Sequence, residues 1–443
     1  MATIVVVPSG VTSKRLLAGR LADALADHGH RVVWADDGQR DDAPVRASIE
    51  RVDRRLHVPE DRTRRRWRPI RHLRATWDLA DSLDVAGWLS VVDAHGPDLV
   101  LIDIEEHAPF IAVRSERPAV RVAVINSFFD IWPGPQSPPL DAALVPTSGV
   151  AGRLRVRAAW AASRAAVRWR DLRHHLAGRK VEPASVTRRL VRRFDVAGEV
   201  TRRAWLHPVA PSTVPILSLV APSLDLPSRR PAHDRAVGPL LDELSDTSLT
   251  EVASSELAAF VARAAADAAP LVVVASGGFV AGDADGFGRR VLAAAERLPA
   301  LRFVVAGSPE TIASPNVHVE DWIPQRELLV HASLAVVHSG TGTLHECVAA
   351  GVPMAVYPFA VNDQAGNAAR VTFHGVGRVG ERASVSVEQL VDDISTLADD
   401  DGLRSRVGRL REAVRAESDP GVAVRAVEAV LAAGRHVSDS PDS

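Results

Sequence analysis

The chain has 443 residues, 53 of them basic and 55 acidic, with 46% apolar residues and one cysteine. That length exceeds one ordinary core and fits two domains, and the apolar and charged fractions are those of a globular protein rather than a disordered or fibrous one. No apolar run reaches the roughly 18 residues of a membrane span, and the lone Cys347 excludes an internal disulfide.

Met1 leads directly into a strand-like run without the pattern of a secretory leader, so a cytoplasmic location is expected. Charge is distributed unevenly. Residues 1–235 carry 37 basic against 27 acidic side chains, and the remainder carries 16 against 28. The basic residues cluster in Arg62–Arg74 and Arg153–Arg193. Such a half suits an acidic acceptor or a membrane surface, or simply solvated helix faces. Nucleic acid is not expected as a partner, because no recognition motif accompanies the arginines. Only two lysines occur, Lys14 and Lys180. No histidine pair has ligand spacing backed by cysteines or carboxylates, so no metal is expected.

In chain order, Ile4–Val7 reads as a strand closed by Pro8, Ser9 and Gly10. Leu16, Leu17, Leu21, Ala24 and Leu25 then recur at helical spacing, Gly29 ends that helix, and Arg31–Ala35 is a second strand. Leu99–Ile102 and Val120–Ile125 are further apolar runs. Strands alternating with helices imply a parallel sheet covered on both faces. Residues 151–195, rich in arginine and alanine with Trp160 and Trp169, predict one or two amphipathic helices, walling a cleft or lying on a membrane. Pro222–Pro239 is the expected linker. A second series follows with strands Leu271–Ala275, Arg302–Ala306, Leu334–Val337 and Met354–Tyr357. The tail from Ser438 is polar.

Chemistry concentrates in Asp321-Trp322-Ile323-Pro324-Gln325, His331, the run His338-Ser339-Gly340-Thr341-Gly342-Thr343-Leu344-His345-Glu346, then Gly351 to Pro353, Asp363, Gln364 and Asn367. The middle of this block reads as strand, glycine-rich turn and helix. Gly340 and Gly342 allow close backbone approach and the helix offers its first N–H groups, which suits a diphosphate. Thr341 and Thr343 add hydroxyl donors, and His338 can hydrogen-bond a phosphate or help neutralise it. Glu346 can accept from ribose hydroxyls, Trp322 offers a flat face to a base, Gln325 reaches that base's edge, and Asp363 and Gln364 suit sugar hydroxyls.

The stretch Trp322–Asn367 resembles the donor-binding signature of the family 1 glycosyltransferases, the UDP-glycosyltransferase-like enzymes of the GT-B fold, in the spacing of their bacterial natural-product and carotenoid-tailoring members. The resemblance implies two tandem doubly wound Rossmann-like α/β domains facing each other across a cleft, an acceptor domain at 1–235, a donor domain at 236–435 and a loose tail at 436–443. It further implies inverting, metal-independent transfer without a cofactor, the nucleotide sugar (a UDP-hexose) being a co-substrate. Matching the motif assigns Trp322 and Gln325 to the base, Glu346 to ribose, His338, Gly340, Gly342 and Thr343 to the diphosphate, and Asp363 and Gln364 to the sugar; Ile323, Ser339 and Thr341 join them as expected donor-binding residues. Ser276, Gly277 and Gly278 resemble the other loop near the phosphates. Ser339 stands where a glycine is usual, and the interval from Pro358 to Asp363 is one residue longer than the usual pattern.

The resemblance breaks at the acceptor side. The histidine that takes the acceptor proton in this family falls at Lys14, while the partner aspartate matches Asp103. Three readings stay open here. The base is another group at that strand end, Asp103, Glu105, Glu106 or His107; or the acceptor is an anion oriented by Lys14; or the chain binds a nucleotide sugar without turnover and assists a partner enzyme. As bland alternatives, Lys14 is a helix-start residue with its ammonium in solvent, and Asp103 an N-cap. A nucleotide-sugar epimerase is a further alternative on the same fold.

Overall fold

The computed structural model describes residues 1–36, 44–46, 48–53, 56, 77–177, 183–206, 208–241, 248–275, 286–307, 314–359 and 362–433. The strands are β1 (Thr3–Val7), β2 (Arg31–Asp36), β3 (Glu50–Asp53), β4 (Leu99–Asp103), β5 (Arg121–Asn126), β6 (Val200–Thr201), β7 (Ala210–Pro211), β8 (Ile216–Ser218) and β9 (Asp234–Ala236) in the first half. The second half holds β10 (Leu271–Ala275), β11 (Arg302–Ala306), β12 (Val317–Glu320), β13 (Leu334–Val337), β14 (Met354–Val356) and β15 (Gly377–Val379). Among the described residues these form a seven-stranded sheet ordered β3-β2-β1-β4-β5-β8-β9 and a six-stranded sheet ordered β12-β11-β10-β13-β14-β15, with β6 and β7 paired apart. All pairs within the two large sheets are parallel.

Both sheets are covered on both faces, as parallel sheets require. Along β1, Val5 and Val7 enter one core cluster, whereas Ile4 and Val6 enter a second with the helix Thr12–Asp27 (α1). That second cluster also holds Ala423, Val424, Val427 and Leu431, so the chain's last described helix, Pro420–Ala433, returns to cover the first sheet. Strand order reverses between β1 and β4 in one sheet and between β10 and β13 in the other. Crevices at such reversals, outside the carboxyl ends of the strands, are where ligands bind in open α/β sheets.

One expectation needs adjusting. The stretch expected as a linker includes β9, and the line between 235 and 236 falls inside it. This strand is held by polar anchoring rather than an apolar run: the buried Asp234 accepts from Ser218 Oγ at 2.6 Å and Trp132 Nε1 at 2.6 Å. The basic stretch 151–195 forms two helices, Gly149–Ala177 and Pro183–Arg193, within the one or two expected. No described helix is long and apolar enough to cross a membrane.

Candidate active site

At the end of β13 the chain turns into a helix, Thr341–Ala350, whose N-cap is Gly340 with no side-chain cap. Its first N–H groups are therefore the ones left for an anion. A Cβ at Gly340 would lie 2.8 Å from His338 Nε2, so only glycine leaves that ring in place. Around Gly342 nothing lies within 4 Å of an added Cβ. Ser339 adopts φ +65°, the left-handed region where glycine is at ease. Its hydroxyl donates to Gln364 O at 2.8 Å, which gives the strained residue a tertiary tether.

His338 donates from Nδ1 to Ala275 O at 3.4 Å, since a carbonyl only accepts. Burial lowers the pKa of this ring below the usual histidine value. It is therefore neutral at pH 7 and presents Nε2 as an acceptor, rather than as a standing charge. Gln325, first residue of the helix Gln325–Leu329, donates from Nε2 to Glu346 Oε2 at 2.7 Å. This joins the two residues expected on base and ribose. Burial pushes the Glu346 carboxyl up, against the charges of Arg20 and Arg326. Trp322 is 70% exposed while Ile323 is buried.

Asp363 Oδ2 accepts from Thr341 Oγ1 at 3.0 Å and Asn367 Nδ2 at 2.7 Å, and Gln364 Oε1 accepts from Phe359 N at 2.7 Å. The pair expected on the sugar is thus tied to the turn expected on the diphosphate. Ser276, Gly277 and Gly278 lie outside the described residues, as do Lys180 and the cluster Arg62–Arg74.

The residues expected on the acceptor side gather at the reversal of the first sheet. Lys14 sits in the first turn of α1, but its ammonium is not in solvent. It donates to Glu105 Oε2 at 2.6 Å and lies 3.6 Å from the centre of the Phe128 ring. Asp103 ends β4 and is only 2% exposed. It is not the N-cap of the following helix, His107–Glu116, whose N-cap is Glu106. Instead Asp103 Oδ1 accepts the Glu105 N–H at 3.0 Å. Burial pushes the Asp103 carboxyl up to about 7; Lys14 opposes the shift, and Glu105 and Glu106 reinforce it. His107 donates from Nε2 to Val209 O at 2.9 Å, and burial lowers its pKa.

One dipeptide joins the two crevices. Phe128 carries Lys14, while Phe129 stacks on His345 with ring centres 5.2 Å apart. His345 precedes Glu346 in the donor-side helix. Its Nδ1 donates to Thr341 O at 2.8 Å and its Nε2 accepts Ala221 N–H at 3.0 Å. Burial lowers its pKa to about 4, so both nitrogens keep these roles at neutral pH. The sequence marks no role for His345, Phe128 or Phe129, nor for the buried pair in which Arg370 Nε donates to Asp225 Oδ1 at 2.9 Å. An arginine–aspartate pair separated by 145 residues leaves no local signal.

In fold the chain is similar to the solved glycosyltransferases of the GT-B class. Residues 247–415 match the sequence model of the UDP-glucoronosyl and UDP-glucosyl transferase family, bearing out the resemblance read from Trp322–Asn367. The oleandomycin glycosyltransferase of Streptomyces antibioticus is 35% identical over 126 residues, 28% of this chain and 29% of that protein. This chain thus spans under a third of the length of that first curated relative. The 4'-demethylrebeccamycin synthase of Lentzea aerocolonigenes is 28% identical over 331 residues, 72% of this chain and 70% of the other. The solved glycotransferase of kitacinnamycin superposes with a TM-score of 0.66 at 20% identity, covering 97% of this chain and 99% of that one, which supports the shared fold.

Proposed function

We propose that this protein is an inverting, metal-independent glycosyltransferase, with the half built on the first sheet taking a small natural-product or lipid-like acceptor and the half built on the second taking a nucleotide sugar, a UDP-hexose. The observation that carries the reading is the Phe128–Phe129 dipeptide. It brings the acceptor-side Lys14 and the donor-side His345–Glu346 helix start to one short segment.

In this reading the diphosphate rests on the N–H groups of Thr341, Gly342 and Thr343, with Trp322 against the base and Glu346 on the ribose. Gln325 orients Glu346 as well as reaching the base. Asp363 Oδ1 and Gln364 Nε2, the atoms away from their internal bonds, take the sugar hydroxyls. Helix N–H groups, and His338 once the bound diphosphate has drawn a proton onto Nε2, stabilise the charge that develops on the leaving group. The nucleophile is a protonated acceptor atom rather than a preformed anion, because the Lys14 charge already meets Glu105 at 2.6 Å. Asp103 takes the acceptor proton on Oδ2; an acid of pKa near 7 is matched to general-base work at neutral pH. Lys14 positions this carboxylate, and His107, turned to Val209, holds the loop.

Calorimetric titration with UDP and UDP-sugars, followed by assay of released UDP, tests the reading. Binding with slow release in water, insensitive to chelators and lost in Glu346→Ala, supports it. Binding without release for any acceptor replaces catalysis by the auxiliary role. Failure of all UDP compounds to bind overturns the donor assignment.

A further inference from the structure

The helix Gly149–Ala177 has two apolar sides. Val156 and Trp160 are buried, and Trp160 Nε1 donates to Ser137 O at 2.8 Å, so this side anchors the helix to the protein. The opposite side is also apolar and faces outward. Leu154, Ala158, Ala161, Ala165, Trp169 and Leu172 follow one another at steps of four, three, four, four and three residues, the repeat of a single helical stripe. All six are exposed, with Leu154 at 56%, Trp169 at 61% and Leu172 at 46%.

Arginines flank this outward stripe on both sides. Arg153, Arg157, Arg164 and Arg168 lie along one flank and Arg155 and Arg173 along the other, all exposed. The helix contains a single acidic residue, Asp171, which accepts from Arg188 of the next helix at 2.8 Å. An apolar stripe between two rows of arginine matches an interface whose hydrocarbon lies below a layer of negative headgroups. A second copy of the same face would instead bring arginine rows against each other.

We infer that this helix docks the protein on anionic lipid surfaces, with Trp169 and Leu172 inserted at the acyl boundary and the flanking arginines on the headgroups. At 29 residues the helix is about 43 Å long, enough to lie in the plane of a membrane over its whole length. Docking does not depend on the donor reading and is tested without nucleotide or sugar.

The test is flotation of the full chain with vesicles of phosphatidylcholine alone and of phosphatidylcholine mixed with phosphatidylglycerol. Binding is expected to the mixed vesicles only, and to weaken as salt is raised. Replacing Arg157 and Arg168 together by Gln should weaken it about 25-fold, roughly fivefold per arginine. Trp169→Ser with Leu172→Ser should also release the protein, with an unchanged melting temperature because both side chains are exposed. Equal partition to neutral and mixed vesicles overturns the proposal, as does unchanged binding by the stripe variant. A dimer in solution that the stripe variant dissociates overturns it too, by making the face an interface between copies.

Discussion

At the scale of single residues, the proposed chemistry turns on a carboxyl buried beside an ammonium. Asp103 titrates near 7 because burial disfavours its charged form, so a rate that needs the ionised carboxylate should rise with pH around 7. A pH profile of kcat/KM checks this. Asp103→Asn should lower the rate by about 10²–10⁴-fold. Stability should move the other way. A carboxyl whose folded pKa is raised above 3.8 favours the folded state most below that value, and this contribution is lost as pH rises through about 7. The Asn variant should therefore melt higher than wild type in mildly alkaline buffer. Lys14→Met removes the charge that holds the Asp103 pKa down, so the midpoint of the rate profile should shift upward. A merely structural lysine would leave that midpoint in place.

His338 makes a second residue-scale case. The free ring is neutral at pH 7, and a diphosphate beside Nε2 favours its protonated form. Nucleotide binding at neutral pH should then take up protons, by at most about one. Titrations in buffers of different ionisation enthalpy measure that uptake, and His338→Asn should abolish it.

At the scale of elements, what the sequence disclosed depended on burial. β10 and β13 are apolar throughout, β1 and β4 are apolar apart from Thr3 and the terminal Asp103, and each reads as an uninterrupted buried run. β3 and β15 lie at sheet edges, carry charges and are largely exposed, so no run marks them. The donor-side turn was legible because its strand, glycines and helix are consecutive. The acceptor-side substitution of Lys14 was legible as a departure, but its pairing with Glu105 was not, since 91 residues separate them. The helix Gln364–His374 illustrates a constraint of the same hidden kind. Gly366 N–H donates to Leu140 O at 2.7 Å, and an added Cβ would lie 2.5 Å from that oxygen. Gly366→Ala should lower stability by about 1–3 kcal/mol in urea unfolding, because backbone has to move. Gly342→Ala meets open space and should spare stability while weakening nucleotide binding.

At the scale of the whole molecule, the two halves are held by a buried charge cluster. Asp225, just beyond β8, receives Arg370 Nε at 2.9 Å from the second half, Arg230 at 2.8 Å and the Asp130 N–H at 2.9 Å. Arg370 is 1% exposed and also lies 4.4 Å from the Phe129 ring that stacks on His345. The latch and the candidate site therefore share an aromatic. Arg370→Met should cost about 3–5 kcal/mol, since it leaves a buried carboxylate with one of its two charges. Arg230, at 12% side-chain exposure, should cost less when replaced. The acid response separates the ion pair from simple packing. Burial would raise the Asp225 pKa, but Arg370 and Arg230 outweigh it and hold the carboxyl below 3.8. That depressed value contributes stability above the unfolded pKa, and the contribution is lost as pH falls through the folded one. Wild type should accordingly lose stability steeply below pH 3.8, and Arg370→Met, already deprived of the pair, should lose less over the same range. Urea unfolding of both proteins at neutral pH and in acid reads this directly. Equal acid slopes would mean that Arg370 contributes through its stacking on Phe129 and its bond to Gly366 O rather than through its charge on Asp225.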